Sequence, residues 1–284
     1  MRVEEVILRN AHVRGIDKLI PFLPVDFCLE AAKAVFRLLE EKENPKILIT
    51  TGFYVGGAPE TDGPPGAYFL YKALKRLGFL PKIITDTICA PLFEGAILNE
   101  DLITVPEEVE DEGLFRNQIF EIFLPDVLMA VERCGRTGEG AYQDMRGNDI
   151  SAFTAPIDAL FIEPPPGSIT IGIGDGGNEI GMGKLMDEIS RHLEVSPCIV
   201  QTDYLILATV SNWGACGLSR CLEMLSGRSC LPNSEEVEDF IAHIVSRGAV
   251  DGISRLREHR VDGYDLAWIR EILEALSGCT LETL

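Results

Sequence analysis

A chain of 284 residues, 46% of them hydrophobic, can build one large α/β domain or two small ones that share an interface. Its formal charge of −20 works against nucleic acid and anionic membranes, both of which select basic patches. The eight cysteines form no CxxC pair, which excludes a zinc ribbon or thioredoxin-type site. No apolar run reaches the length of a membrane span and MRVEEVILRN lacks a signal-peptide core, so a soluble, cytoplasmic protein with reduced thiols is expected.

In chain order, Asp26 to Glu43 places Phe27, Ala31, Ala34, Val35, Leu38 and Leu39 at helical spacing, with Asp26 as the expected N-cap. Asn44-Pro45 stops this helix, and KILITT (46–51) reads as a strand. A loop rich in Gly and Pro follows, carrying Glu60, Thr61 and Asp62. Pro64-Pro65 starts a second helix that ends at Gly78, and 82–85 forms the next strand, running into Asp86. This helix–strand alternation predicts an α/β fold, a mostly parallel sheet flanked by helices, with the active site at the strand carboxyl ends.

Asp101 to Val105 and Ile119 to Leu124 are read as strands, and Glu107 to Gly113 as an acidic loop. An apolar run, 126–131, leads into CGRTGEGAYQDMRGNDIS, so that Arg133, Arg136 and Arg146 stand among glycines. Such arginines are either solvated surface charges or a device for capturing carboxylate or phosphate, which the guanidinium fork suits. Tyr142 in this loop is either a packing residue or a proton donor.

SITIGIGDGGNEIGMGK (168–184) is the centre of the chain. Ser168 to Ile173 reads as a buried strand, LMDEISRHL as a helix, and between them lies a glycine loop holding Asp175, Asn178 and Glu179. Gly172, Gly174 and Gly177 satisfy GxGxxG, with Glu194 near the position of a ribose-binding acid. Asp175, Glu179 and the net charge oppose the pyrophosphate that this motif receives. A hard cation fits better: Asp175, Asn178 and Glu179, joined by Glu60, Asp62 or Asp86 from other strand ends, could hold Mn²⁺, Mg²⁺ or Ca²⁺. The competing reading is that Asp175 and Asn178 only build Asx turns and a helix cap. Tyr204 to Val210 is a further buried strand leading to SNWG and a helix over 215–225; helices over 234–246 and 263–276 close the chain.

TGFYVGGAPETDGPPGA (51–67), ERCGRTGEGAYQDMRGNDIS (132–151), IGIGDGGNEIGMGK (171–184) and ATVSNWGACGL (208–218) together resemble the D-glutamate cyclase-like family. Larger mitochondrial members carry such a region as a C-terminal domain, and this chain looks like that domain standing alone, a single domain over 1–284 that could divide into two closely packed lobes. The resemblance implies conversion of D-glutamate to 5-oxo-D-proline with loss of water, assisted by a divalent cation. Asp175, Glu179 and Arg146 are then the expected catalytic groups. Arg133, Arg136 and Asn212 would bind substrate, and the amides of Gly176 and Gly177 would serve the oxyanion. The partners expected are a small acidic amino acid and other copies of the chain in a homo-oligomer. A metal-dependent phosphatase or other hydrolase using the same acids, and a non-catalytic metal- or carboxylate-binding module, are the alternatives.

Overall fold

The computed structural model describes residues 1–281; the last three residues of the expected domain lie outside it. Six strands form one sheet: β1 (Lys46–Thr51), β2 (Leu80–Asp86), β3 (Leu102–Val105), β4 (Val127–Val131), β5 (Ile169–Gly174) and β6 (Tyr204–Leu207). Their order across the sheet is β3-β2-β1-β4-β5-β6 and every neighbouring pair is parallel. The α/β expectation therefore holds. The order also explains why the strands read as continuous apolar runs, because both faces of a parallel sheet are covered by helices. It reverses direction between β1 and β4, and in doubly wound sheets the crevice at that switch point receives ligand.

Helices α1 (Val3–Ile7), α2 (Phe27–Glu41), α3 (Pro64–Leu77), α4 (Glu112–Ile122), α5 (Met186–His192), α6 (Ser211–Ser226), α7 (Ser234–Ser246) and α8 (Leu266–Ser277) complete the core. The expected helix over 26–43 is α2, but Asp26 makes no side-chain cap bond. The buried carboxylate of Glu4 in α1 accepts from the amides of Cys28 and Leu29 instead, at 3.1 and 3.4 Å. A cap borrowed from another element leaves no signal beside the helix it serves.

The strand expected at 119–124 is corrected by the structure: 119–122 is the end of α4, and the strand is 127–131. Asp111 caps α4 by accepting from the amide of Leu114 at 2.9 Å. Phe115, Ile119 and Phe123 then recur at four-residue spacing and turn inward. All eight cysteines are buried thiols. Among the described residues no helix is long and apolar enough to cross a membrane.

The central loop, 175–185, turns back across its own strand. A methyl group at Gly172 would lie 2.4 Å from the carbonyl oxygen of Ile180, so only glycine lets the loop pass so close to β5. This fold-back sets the acidic residues of the loop at the sheet's carboxyl edge, beside the ends of β1 and β4.

Candidate active site

Five segments converge at that edge. The loop after β1 brings Glu60 and Asp62, the end of β4 brings Glu132, and the loop after β5 brings Asp175, Asn178 and Glu179. The N-terminal segment brings Arg14 and a two-residue hairpin brings Asp262. Carboxylate oxygens of Asp62, Asp175 and Asp262 lie within 4.8 Å of one another, and so do those of Glu132, Asp175 and Glu179. Asp175 belongs to both groups.

Each carboxylate is held differently. Glu179 bends back over its own loop, its two oxygens accepting from the amides of Gly176 and Gly177, both at 2.7 Å. The two glycine amides expected to serve an oxyanion are thus engaged by a carboxylate. Asp62 sits at the start of α6 and accepts from the amides of Ser211 and Asn212, both at 2.8 Å. Glu132 accepts from the Ser211 hydroxyl at 2.5 Å and adopts a left-handed backbone at φ 45°, a strained conformation for a non-glycine residue. Arg14 Nη1 donates to Asp175 at 2.7 Å and to Asp262 at 2.5 Å. The other oxygen of Asp175, Oδ1, is buried with no partner, and so is Oδ1 of Asn178, whose amide nitrogen donates to the Gln143 carbonyl at 2.8 Å.

Six acids therefore face one arginine, and their protonation follows. Burial, with Asp262 and Asp62 next, pushes Glu60 well above the usual carboxylate range. Burial and then Glu179 do the same for Glu132. Burial raises Asp175 despite the opposing pull of Arg14. Asp62 is pushed up to about 7 by burial and then by Asp262, against the hydrogen bonds from α6 that lower it. The stability contributed by the neutral form of Asp62 is fully present below its unfolded value of 3.8 and is lost as pH rises through about 7. Glu60, Glu132 and Asp175 act in the same direction. The metal-stripped protein should accordingly melt lower at pH 8 than at pH 5, by roughly 5 °C or more. Calorimetric melting temperatures across that range, after treatment with a chelator, test this; a melting temperature that rises with pH would refute it.

Arg14, Glu60, Glu132 and Asp262 line a cavity of ≈ 80 Å³ together with Phe53, Val55, Met145, Arg146 and Arg255. Glycine at 252 keeps its wall open, since a methyl group there would lie 2.6 Å from Glu60 and 2.8 Å from Asp262.

The other sequence candidates fall elsewhere. Arg133 is fully buried and braces three loops, donating to the carbonyls of Gly52 and Ala155 and to Asp86. Asp86 is paired there, with its second oxygen on the Cys89 amide, and stands outside both carboxylate groups. Arg136 grips Asp158 through Nε and Nη2, both at 2.8 Å, and Tyr142 donates to the same aspartate at 2.6 Å. Asn212 ties the Glu60 loop to α6: its oxygen accepts from Gly63 and Gly66, and its nitrogen donates to Thr61. Of the three arginines singled out in the sequence, Arg146 alone reaches the cavity, at its rim.

Arg14 and Asp262 were not singled out in the sequence. Arg14 is 161 residues from the carboxylate it pairs with, and nothing near it in the chain marks it. Asp262 did leave a signal. Val261-Asp262-Gly263-Tyr264 is a hairpin with Asp262 at φ 51° and Gly263 at φ 79°, the Asp-Gly turn that such tight hairpins favour.

Over residues 3–277 the chain matches a family described as D-glutamate cyclase-like, C-terminal. It is 34% identical to a mitochondrial D-glutamate cyclase of Homo sapiens over 220 residues, which are 66% of this chain and 34% of that protein. The chain thus spans about a third of the length of that relative.

Proposed function

Since this chain belongs to the D-glutamate cyclase-like family, we propose that its acidic cavity converts D-glutamate to 5-oxo-D-proline with loss of water. The observation that carries the reading is the convergence of Glu132, Asp175 and Glu179 beside the unpartnered buried oxygens of Asp175 and Asn178. An all-oxygen donor set with orphaned lone pairs fits a hard divalent cation, Mn²⁺, Mg²⁺ or Ca²⁺. Glu132, Asp175, Glu179 and Asn178 would hold it, and bound there it would offset the negative charge that makes the γ-carboxylate a poor electrophile.

Cyclisation joins the α-nitrogen to the carbon of the γ-carboxylate (Cδ), and one oxygen of that carboxylate leaves with the two protons shed by the ammonium group as water. The ammonium group must first lose a proton. Glu60 lines the cavity and is the carboxylate placed to accept it. The pit of acids favours a cationic ammonium before that transfer. Phe53, Val55 and Met145 give the substrate methylenes apolar walls, and Arg146 at the rim is placed for a carboxylate.

The test is to incubate the purified protein with D-glutamate, and separately with a generic phosphate ester, with and without Mn²⁺, following 5-oxo-D-proline and inorganic phosphate. Formation of 5-oxo-D-proline that depends on the cation supports the proposal. Phosphate release without cyclisation points to the hydrolase alternative, and neither product points to a binding module.

A further inference from the structure

The mouth of the cavity carries a second arginine that the reaction scheme above does not use. Arg255 lies on the 251–255 loop and lines the same cavity as Arg146 on the 144–148 loop. Each loop is pinned by a buried aspartate. Asp144 accepts from the amides of Arg146 and Asn148, both at 2.9 Å, and Asp251 accepts from the amides of Ser254 and Gly263, both at 2.7 Å. Neither guanidinium is satisfied by this scaffolding. Among the described residues, Arg146 reaches only the Ile253 carbonyl, at 3.5 Å, and Arg255 comes no closer to a carboxylate than 3.7 Å, from Asp144. Arg255 also has a left-handed backbone at φ 58°, a strained conformation for a non-glycine residue. Two under-used guanidinium groups held on pinned loops, one of them strained, share a cavity with the carboxylates of Glu60, Glu132 and Asp262 and form an anion receptor beside a cation receptor.

We propose that Arg255 and Arg146 form a carboxylate clamp that holds one carboxylate of the substrate while the other lies at the cation site, so that clamp and pit together select an amino acid bearing a second carboxylate. The inference deepens the reading of this cavity as the cyclase site and rests on it for the identity of the substrate. The ammonium end enters the pit and one carboxylate remains between the two arginines, whose forks can each bind it bidentately. Exposed Met145 and Ile253 flank the opening, where the carbon chain passes from rim to pit. A lone ammonium compound would find the pit and leave both arginines unused.

The test separates this clamp from the chemistry below it. Glutarate, which has both carboxylates and no amine, cannot cyclise, so its binding is measured by calorimetry whether or not the protein turns over D-glutamate. Arg255→Met should weaken glutarate binding at least tenfold, and Arg255→Lys should restore it only in part. Melting temperatures should stay within about 2 °C of wild type, because the side chain is solvent-facing. In turnover, KM for D-glutamate should rise while kcat changes little. Equal glutarate affinity in wild type and Arg255→Met would overturn the proposal. So would loss of affinity that only tracks a loss of melting temperature, or inorganic phosphate binding more tightly than glutarate through the same arginine. If wild type binds glutarate through Arg255 yet makes no 5-oxo-D-proline, the clamp stands and the cyclase reading falls.

Discussion

Asp175→Asn is expected to abolish turnover, by about 1000-fold or more, without destabilising the metal-free protein. Asp175 belongs to both carboxylate groups, and its Oδ1 is one of the two buried oxygens of the central loop with no partner. Losing its charge should remove the stabilisation that Mn²⁺ gives the wild type. The ordinary expectation for breaking a buried ion pair is a fall in stability, because Asp175 is bonded to Arg14 at 2.7 Å. Here the sign is different. Burial and the neighbouring acids raise Asp175 above its unfolded value, so its charged form costs the folded state free energy once pH exceeds that value. Arg14 keeps Asp262 as a partner in the variant. Metal-stripped Asp175→Asn should therefore match or exceed wild type at pH 8, by about 1–2 kcal/mol, and show no gain at pH 4, where both are neutral. Melting temperatures with chelator and with Mn²⁺ at the two pH values decide this. A variant that still gains stability from Mn²⁺ would take Asp175 out of the cation site.

The parts of the molecule legible in the sequence are those in which one stretch carries both the strand and its loop. Ile169–Gly174 reads as buried from its own residues, and the glycines and acids that follow announce a site because they are poor material for anything else. The Glu60–Asp62 loop was legible for the same reason. Roles within loops are less legible. Arg133 looked like a ligand because it stands among glycines in an acidic chain, yet the guanidinium fork serves equally to satisfy buried carbonyls, as it does at Gly52 and Ala155. Glu179 was expected to face a substrate, and it also closes the turn that forms the loop. Spacing cannot separate these uses, since both need the same residue in the same loop. The strand expected at 119–124 failed differently: a short apolar run beside an acidic loop has no decisive period until the Asp111 cap fixes the helix start.

Arg14 is the residue whose loss should harm the folded protein most. It is the cation bonded to the pit's carboxylates, donating to Asp175 and Asp262 from the end of a short N-terminal helical turn, Ala11–Arg14. Truncation in Arg14→Met leaves two buried carboxylates facing each other and Asp62 with no counter-charge between them. Removing one partner of a buried pair costs about 3–5 kcal/mol, because the remaining charge stays desolvated. That penalty should depend on pH with a definite sign. Burial raises Asp175 and Asp62, the latter to about 7 even with Arg14 present, so at pH 5 these two shed the penalty by taking up protons. At pH 8 they must ionise or bind a cation. Arg14→Met should thus melt close to wild type at pH 5 and well below it at pH 8, and Mn²⁺ should recover more of the loss than it adds to wild type, because the emptied place between Asp175 and Asp262 is itself oxygen-lined. Melting curves of both proteins at the two pH values, with and without Mn²⁺, measure every term. An equal loss at pH 5 and pH 8 would mean that Arg14 stabilises by packing alone and that the acids around it are not coupled.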